Sequence, residues 1–186
     1  MKFCNRTEAV CRMNLLGAER RPFLFVVDYK QDCVFVEETD RVDPAELLYN
    51  LDGLTNVEEG MCAGFTGNGS PVVQWETFPI SLEAYADSFR KVISHIRAGN
   101  SYLANLTCLT PVRSNLSLLE VFYRSEARYK LWMKNRFVVF SPEIFVKIQD
   151  GFIYSYPMKG TIDAILPDAH RRILDDPKET AEHATI

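Results

Sequence analysis

The chain has 186 residues, 47% hydrophobic and 25% charged, which fits one ordinary globular domain with a core and excludes a disordered or fibrous chain. A net charge of -4 gives no electrostatic reason to expect nucleic acid, and no run approaches the roughly 20 apolar residues that span a bilayer. The five cysteines, Cys4, Cys11, Cys33, Cys62 and Cys108, form no Cys-x-x-Cys pair, so reduced thiols in a cytoplasm are expected rather than a disulfide framework or a zinc site. Lys2, Arg6, Glu8 and Arg12 interrupt the start before a signal peptide's apolar run can develop.

Residues 1–21 read as a short helix carrying Val10, Met13, Leu15 and Leu16, closed by the charged run 19–21. Residues 22–29 are almost unbroken apolar and aromatic, which predicts a strand buried on both faces, with residues 33–36 as its hairpin partner. From Asp43 a short helix is predicted: Asp43 as cap, Pro44 at the first position, and Leu47, Leu48 and Leu51 on one side. Residues 61–65 read as a strand and 64–70 as a glycine-rich turn. That turn lacks the lysine and following helix of a phosphate-binding loop, because the strand-like 71–75 follows it.

Residues 81–98 give the clearest helix, capped by Ser81, with Leu82, Tyr85, Phe89, Val92, Ile93 and Ile96 recurring at three and four and Gly99 as its stop. Residues 101–109 alternate as a strand placing Asn105 and Thr107 on one face, either a polar pocket wall or a solvated surface. A second helix is expected over 116–129 and a strand over 137–140. Two runs rich in Ile, Val, Phe and Tyr, 144–148 and 152–156, flank Asp150-Gly151, the pair that suits a primed two-residue turn. A final helix opens at Asp176 with Pro177 in its first position.

The 144–156 hairpin folds two motifs back toward each other: Ser141-Pro142-Glu143 enters it, and the Pro-Met-Lys-Gly-Thr run at 157–161 leaves it. Glu143 and Lys159 at one sheet end read either as a rim ion pair of little energetic weight or as a reacting acid and amine. Pro157 and Gly160 fix the turn around the lysine. The N–H groups of Gly160 and Thr161, with the Thr161 hydroxyl, are suited to hold a small carboxylate. A lysine held beside such an anion and partly stripped of water serves as a nucleophile if its pKa falls.

These two motifs, the Asp-Pro-Lys-Glu-Thr-Ala-Glu-His run at 176–183 and the Ile-Arg-Ala-Gly-Asn-Ser-Tyr-Leu-Ala-Asn-Leu-Thr run at 96–107 resemble the chorismate-utilising enzymes in order and spacing. Lys159 and the Asn-Leu-Thr at 105–107 are more similar to the aminodeoxychorismate synthase branch, component I, than to anthranilate synthase, which usually has alanine where Lys159 stands. Leu103 stands where many members have glutamine and where the isochorismate-forming enzymes place a water-activating lysine, which leaves the amination branch favoured.

The resemblance implies the first part of a two-sheet chorismate-binding fold of class α+β, mostly antiparallel with outer helices, occupying 1–186. It covers about half of a family catalytic domain, so a fragment inactive by itself is expected, the rest supplied by missing length or by a partner chain. It further implies chorismate and ammonia as substrates, Mg²⁺ as cofactor with Glu182 as a ligand, and a glutamine amidotransferase subunit as ammonia source. Lys159 is then the nucleophile and Glu143 the general acid, with Gly160, Thr161 and Asn105 against the substrate. The alternatives are anthranilate synthase component I and a non-catalytic α+β module that binds an anion or a protein.

Overall fold

The computed structural model describes residues 1–58, 60, 72–102, 104–156 and 162–185, the side chains of 182–185 excepted. The chain divides into two compact units, one built from residues 1–72 and 116–142 and the other from 73–115 and 143–186. It is α+β, and every strand pairing among the described residues is antiparallel.

Unit one is built in layers. Its first helix, α1 (Arg6–Ala18), opens on a reciprocal cap: the Asn5 side chain accepts from the Glu8 N–H, and the Glu8 carboxylate accepts from the Asn5 N–H. Ala9 and Leu16 of α1 pack on Val34 and Val36 of β3 (Val34–Glu38). That strand is the middle of a three-stranded sheet, between β1 (Phe3–Cys4) and β2 (Phe23–Val27). The expected hairpin of β2 with β3 is present, but β2 is an edge strand: Leu24 is buried while Phe25 and Val27 are exposed. An unbroken apolar run does not by itself distinguish an edge from a centre, and α1 covers β3.

Phe35 points from the other face of β3 into a core shared with Leu24, Val42, Leu47, Tyr49 and Met133. Those last three come from a second sheet of order β5 (Leu54–Thr55), β4 (Leu47–Leu51), β8 (Tyr129–Met133) and β9 (Phe137–Ser141). The helix expected from Asp43 is therefore absent. Asp43 and Pro44 make a single turn, in which the Asp43 side chain accepts from the Ala45 N–H, and the chain leaves it as β4 paired residue for residue with β8. Pairing wins because β4 buries both faces: Leu47 and Tyr49 on the sheet-to-sheet core, Leu48 on the far side against Phe122, Tyr123 and Trp132. Burial of the Tyr49 ring raises its phenol pKa.

Phe122 and Tyr123 belong to α3 (Leu118–Arg124), shorter than the expected helix because the chain turns at Ser125 into β8, a strand the periodicity did not reveal. The Lys130 ammonium of β8 donates to the carbonyls of Phe122 and Ser125, closing the helix end, and sits 4.7 Å from the Phe122 ring centroid. At the other end, the Ser117 hydroxyl accepts from the Glu120 N–H and the Glu120 carboxylate accepts from the Ser117 N–H. The Ser117 N–H, and next the Ser117 hydroxyl, which donates to the same carboxylate at 2.7 Å, hold the Glu120 carboxyl below its ordinary pKa. The stabilisation from a lowered carboxyl pKa is present above the unfolded value and lost as pH falls through the folded one. Ser117→Ala is expected to cost unit one about 1 kcal/mol, read from the urea midpoint at neutral pH, and to flatten the acid side of its stability profile.

Unit two carries α2 (Leu82–Arg97), capped by the Ser81 side chain and followed by Gly99 at φ 78°, as expected from the sequence. A two-stranded ribbon pairs β6 (Trp75–Thr77) with β7 (Val112–Ser114). The strand expected over 101–109 is not formed: its described residues have no ladder partner, and alternation alone cannot supply one. The hairpin is formed, with β10 (Lys147–Gln149) returning as β11 (Phe152–Tyr154) through Asp150 at φ 53° and Gly151 at φ 79°. Two positive φ values in succession are what a primed turn demands of Asp-Gly. Among the described residues the unit also forms the helices α4 (Ala169–Leu174) and α5 (Pro177–Thr185). The expected strand at 61–65 and the glycine-rich turn at 64–70 lie outside the described residues.

Candidate functional site

The candidate site is organised on the β10–β11 hairpin. Strand β9 ends at Ser141, the chain passes through Pro142, and Glu143 stands exposed on the approach to β10. The ladder sets Lys147 opposite Tyr154, Ile148 opposite Ile153 and Gln149 opposite Phe152. The chain leaving Tyr154 therefore runs back in the direction from which it entered, which is what the alternating runs and the Asp-Gly turn implied. Lys159, Gly160 and Thr161 lie outside the described residues, as does Leu103. A row of aromatics lines the outgoing arm: Phe152 and Tyr154 have ring centroids 6.4 Å apart, and Tyr154 and Tyr156 are stacked at 6.3 Å.

Asn105 is exposed, and the Thr107 hydroxyl donates to its side-chain oxygen at 3.2 Å. The two residues expected to share a face are thus brought together, with the Asn105 amide nitrogen left as the donor of the pair. Glu182 lies in the last helix, α5, which opens as expected at Asp176: that carboxylate accepts from the N–H groups of Lys178 and Glu179. One turn earlier on α5, Glu179 pairs with the Lys178 ammonium at 3.2 Å.

Among the described residues no group of three or more His, Cys, Asp or Glu gathers to hold a metal ion. The Glu182 side chain lies outside the described residues; Mg²⁺ in general takes one or two protein carboxylates and completes its octahedron with substrate oxygens and water.

The structure also forms a cleft in unit two that sequence reading missed, about 440 Å³ and lined by Gln74, Trp75, Glu76, Arg113, Ser114 and Asn115. Its residues lie about forty positions apart in the chain, so only the β6–β7 register reveals it. Its polar groups bond largely to one another: Arg113 to Glu76 at 3.1 Å, the Gln74 N–H to Asn115 and the Ser114 hydroxyl to the Gln74 carbonyl. Among the described residues no helix is long and apolar enough to cross a membrane.

Residues 25–186 match a family described as chorismate binding enzyme. An uncharacterized PabA-like protein of Pasteurella multocida is 41% identical over 173 residues, 93% of this chain and 52% of its own length. One of Haemophilus influenzae is 37% identical over 174 residues, 93% of this chain and 51% of its own. A 2-amino-4-deoxychorismate synthase of Streptomyces globisporus is 30% identical over 115 residues, 56% of this chain and 23% of its own. No solved structure matches significantly. The chain thus spans about half the length of the first two curated relatives.

Proposed function

We propose, from the premise that this chain belongs to the chorismate binding enzyme family, that the whole protein aminates chorismate to 4-amino-4-deoxychorismate. The observation that carries the reading is the lysine of the Pro-Met-Lys-Gly-Thr run, Lys159, following a hairpin entered by Glu143. Lys159 Nζ bonds to ring C2 while the C4–O bond breaks and the departing hydroxyl takes a proton from Glu143 and leaves as water. Ammonia then bonds to C4, the C2–N bond breaks, and the lysine is released. Gly160 and Thr161 hold the substrate carboxylate, and the Asn105 amide donates to a substrate oxygen.

Glu182 is the proposed protein ligand of Mg²⁺, which when bound neutralises carboxylate charge on the substrate and fixes its orientation. Ammonia comes from a glutamine amidotransferase subunit. The chain by itself is proposed to be inactive, since catalytic groups that act as a unit do not give half a rate from half a site.

A second reading is favoured by one observation: the Streptomyces relative is named for a product with its amino group at C2. The two readings separate in one assay. Whole protein, chorismate, Mg²⁺ and ammonium chloride are incubated, and the position of nitrogen on the ring is read by NMR. A 4-amino product supports the proposal; a 2-amino product or anthranilate removes it. In the same assay Glu143→Gln is expected to lower kcat by about 10²- to 10⁴-fold, the range of a lost proton donor.

A further inference from the structure

Hydrogen bonding fixes which way each residue of β2 faces. The Thr39 N–H donates to the Pro22 carbonyl and the Asp28 N–H to the Cys33 carbonyl. In the antiparallel ladder the even-numbered residues therefore bond to β3, and Phe23, Phe25 and Val27 turn their N–H and C=O groups to the open edge. Their side chains lie on the face where α1 packs over Val34 and Val36 of β3. That cover is incomplete: Phe25 and Val27 are 54% and 43% exposed. Edge strands are ordinarily kept from pairing by short length, a lysine, a proline or a bulge. Strand β1, the other edge of this sheet, is only two residues long, whereas β2 runs for five, all apolar and in unbroken register.

We propose that β2 is a dimerisation edge: it pairs antiparallel with β2 of a second copy about a two-fold axis at Phe25, joining two three-stranded sheets into one of six. In that register Phe25 faces its own mate and Phe23 faces the mate of Val27, so every free N–H and C=O of the edge is used. Two observations choose a second copy as the occupant. The first is charge. Arg20 before the strand and Asp28, Lys30 and Asp32 after it are exposed, and neither Arg20 nor Asp32 has an ion-pair partner among the described residues. A two-fold pairing sets the start of each strand beside the end of the other, which brings the Arg20 guanidinium to an end where two carboxylates outnumber one ammonium. The second is fit. Strands spaced about 4.8 Å apart place β3 and its mate roughly 14 Å from each other, and the α1 helices above them stand beyond the roughly 8–10 Å of helices in contact. The aromatic rings of Phe25 and its mate fill that gap. Because β1 is too short to pair onward, assembly closes at two copies.

The test is sedimentation equilibrium of this chain across a range of concentrations, with amide exchange read residue by residue. A monomer–dimer equilibrium is expected. The amides of Phe23, Phe25 and Val27 are expected to slow by about tenfold or more as the dimer fills, while those of Leu24 and Val26 are protected at every concentration. Phe25→Lys sets two ammonium groups against each other at the axis and is expected to weaken dimerisation by about tenfold or more, with the circular dichroism of the chain unchanged. Arg20→Asp is expected to weaken it too, and the added Asp32→Arg to restore it, a recovery that does not depend on how Phe25→Lys folds. Val139→Lys on β9, an edge of the second sheet, is expected to leave the dimer intact. A chain monomeric at every concentration overturns the proposal, as does an open-ended polymer or a dimer lost in Val139→Lys and kept in Phe25→Lys. So does a double variant no stronger than Arg20→Asp, or protection of Phe23, Phe25 and Val27 that is independent of concentration. None of these readouts depends on amination, so a failed assay of activity leaves the dimer result standing.

Discussion

Lys159→Ala in the whole protein is expected to lower amination of chorismate by about 10³-fold or more, because on the proposed reading it removes the nucleophile that bonds to the ring. The loss falls on kcat. Lys159→Arg is expected to be equally inactive, since a guanidinium keeps the charge but stays protonated and is not a nucleophile. The pair of variants separates an electrostatic lysine from a reacting one: activity retained in Lys159→Arg places the role in charge alone. Both variants are expected to leave the unfolding transition of unit one unmoved, because residue 159 lies in the segment assigned to unit two.

Phe122→Ala is expected to destabilise unit one by about 3–5 kcal/mol, the cost of emptying a fully enclosed aromatic site. Phe122 has no exposed surface, meets Tyr123 edge-on at 5.5 Å, packs with Leu48 and Trp132, and lies beneath the Lys130 ammonium. Its removal loosens α3 from the second sheet and weakens the lysine's hold on the helix end. Against a domain stability of about 5–15 kcal/mol the change moves the urea midpoint far to the left. Leu54→Ala on β5, where Leu54 is 61% exposed, is expected to stay within about 0.5 kcal/mol. Equal losses in the two variants would mean that α3 is not part of a packed layer.

What the sequence made legible follows from where local rules act unopposed. The Ser81 cap and the three-four spacing of α2 are local, and so are the Asp150-Gly151 turn and the Asp176 cap; all four stand in the structure. Where a distant partner decides, local rules were overruled. Asp43, Pro44 and three leucines read as a helix, but β8 claims residues 47–51 as a strand across some eighty positions of chain. The helix expected over 116–129 overran Arg124, and no strand was expected over 130–133 for the same reason, their partner being invisible to periodicity. The strand expected at 101–109 failed in the opposite sense: its alternation is real, but its described residues join no ladder. Of the candidate site, the residues' order along the chain and the hairpin that turns between Glu143 and Lys159 were legible, because a motif and a turn are both local. The cleft between β6 and β7 was not, because only register brings Gln74 and Asn115 together.

The covalent role of Lys159 is tested most directly by mass spectrometry of the whole protein after incubation with chorismate and Mg²⁺ in the absence of any ammonia source. The account predicts a species heavier than the protein by one chorismate less one water, mapped by digestion to the peptide holding Lys159 and discharged when ammonium is added. A protein that aminates chorismate at full rate yet carries no such adduct, or carries it on another residue, would contradict it.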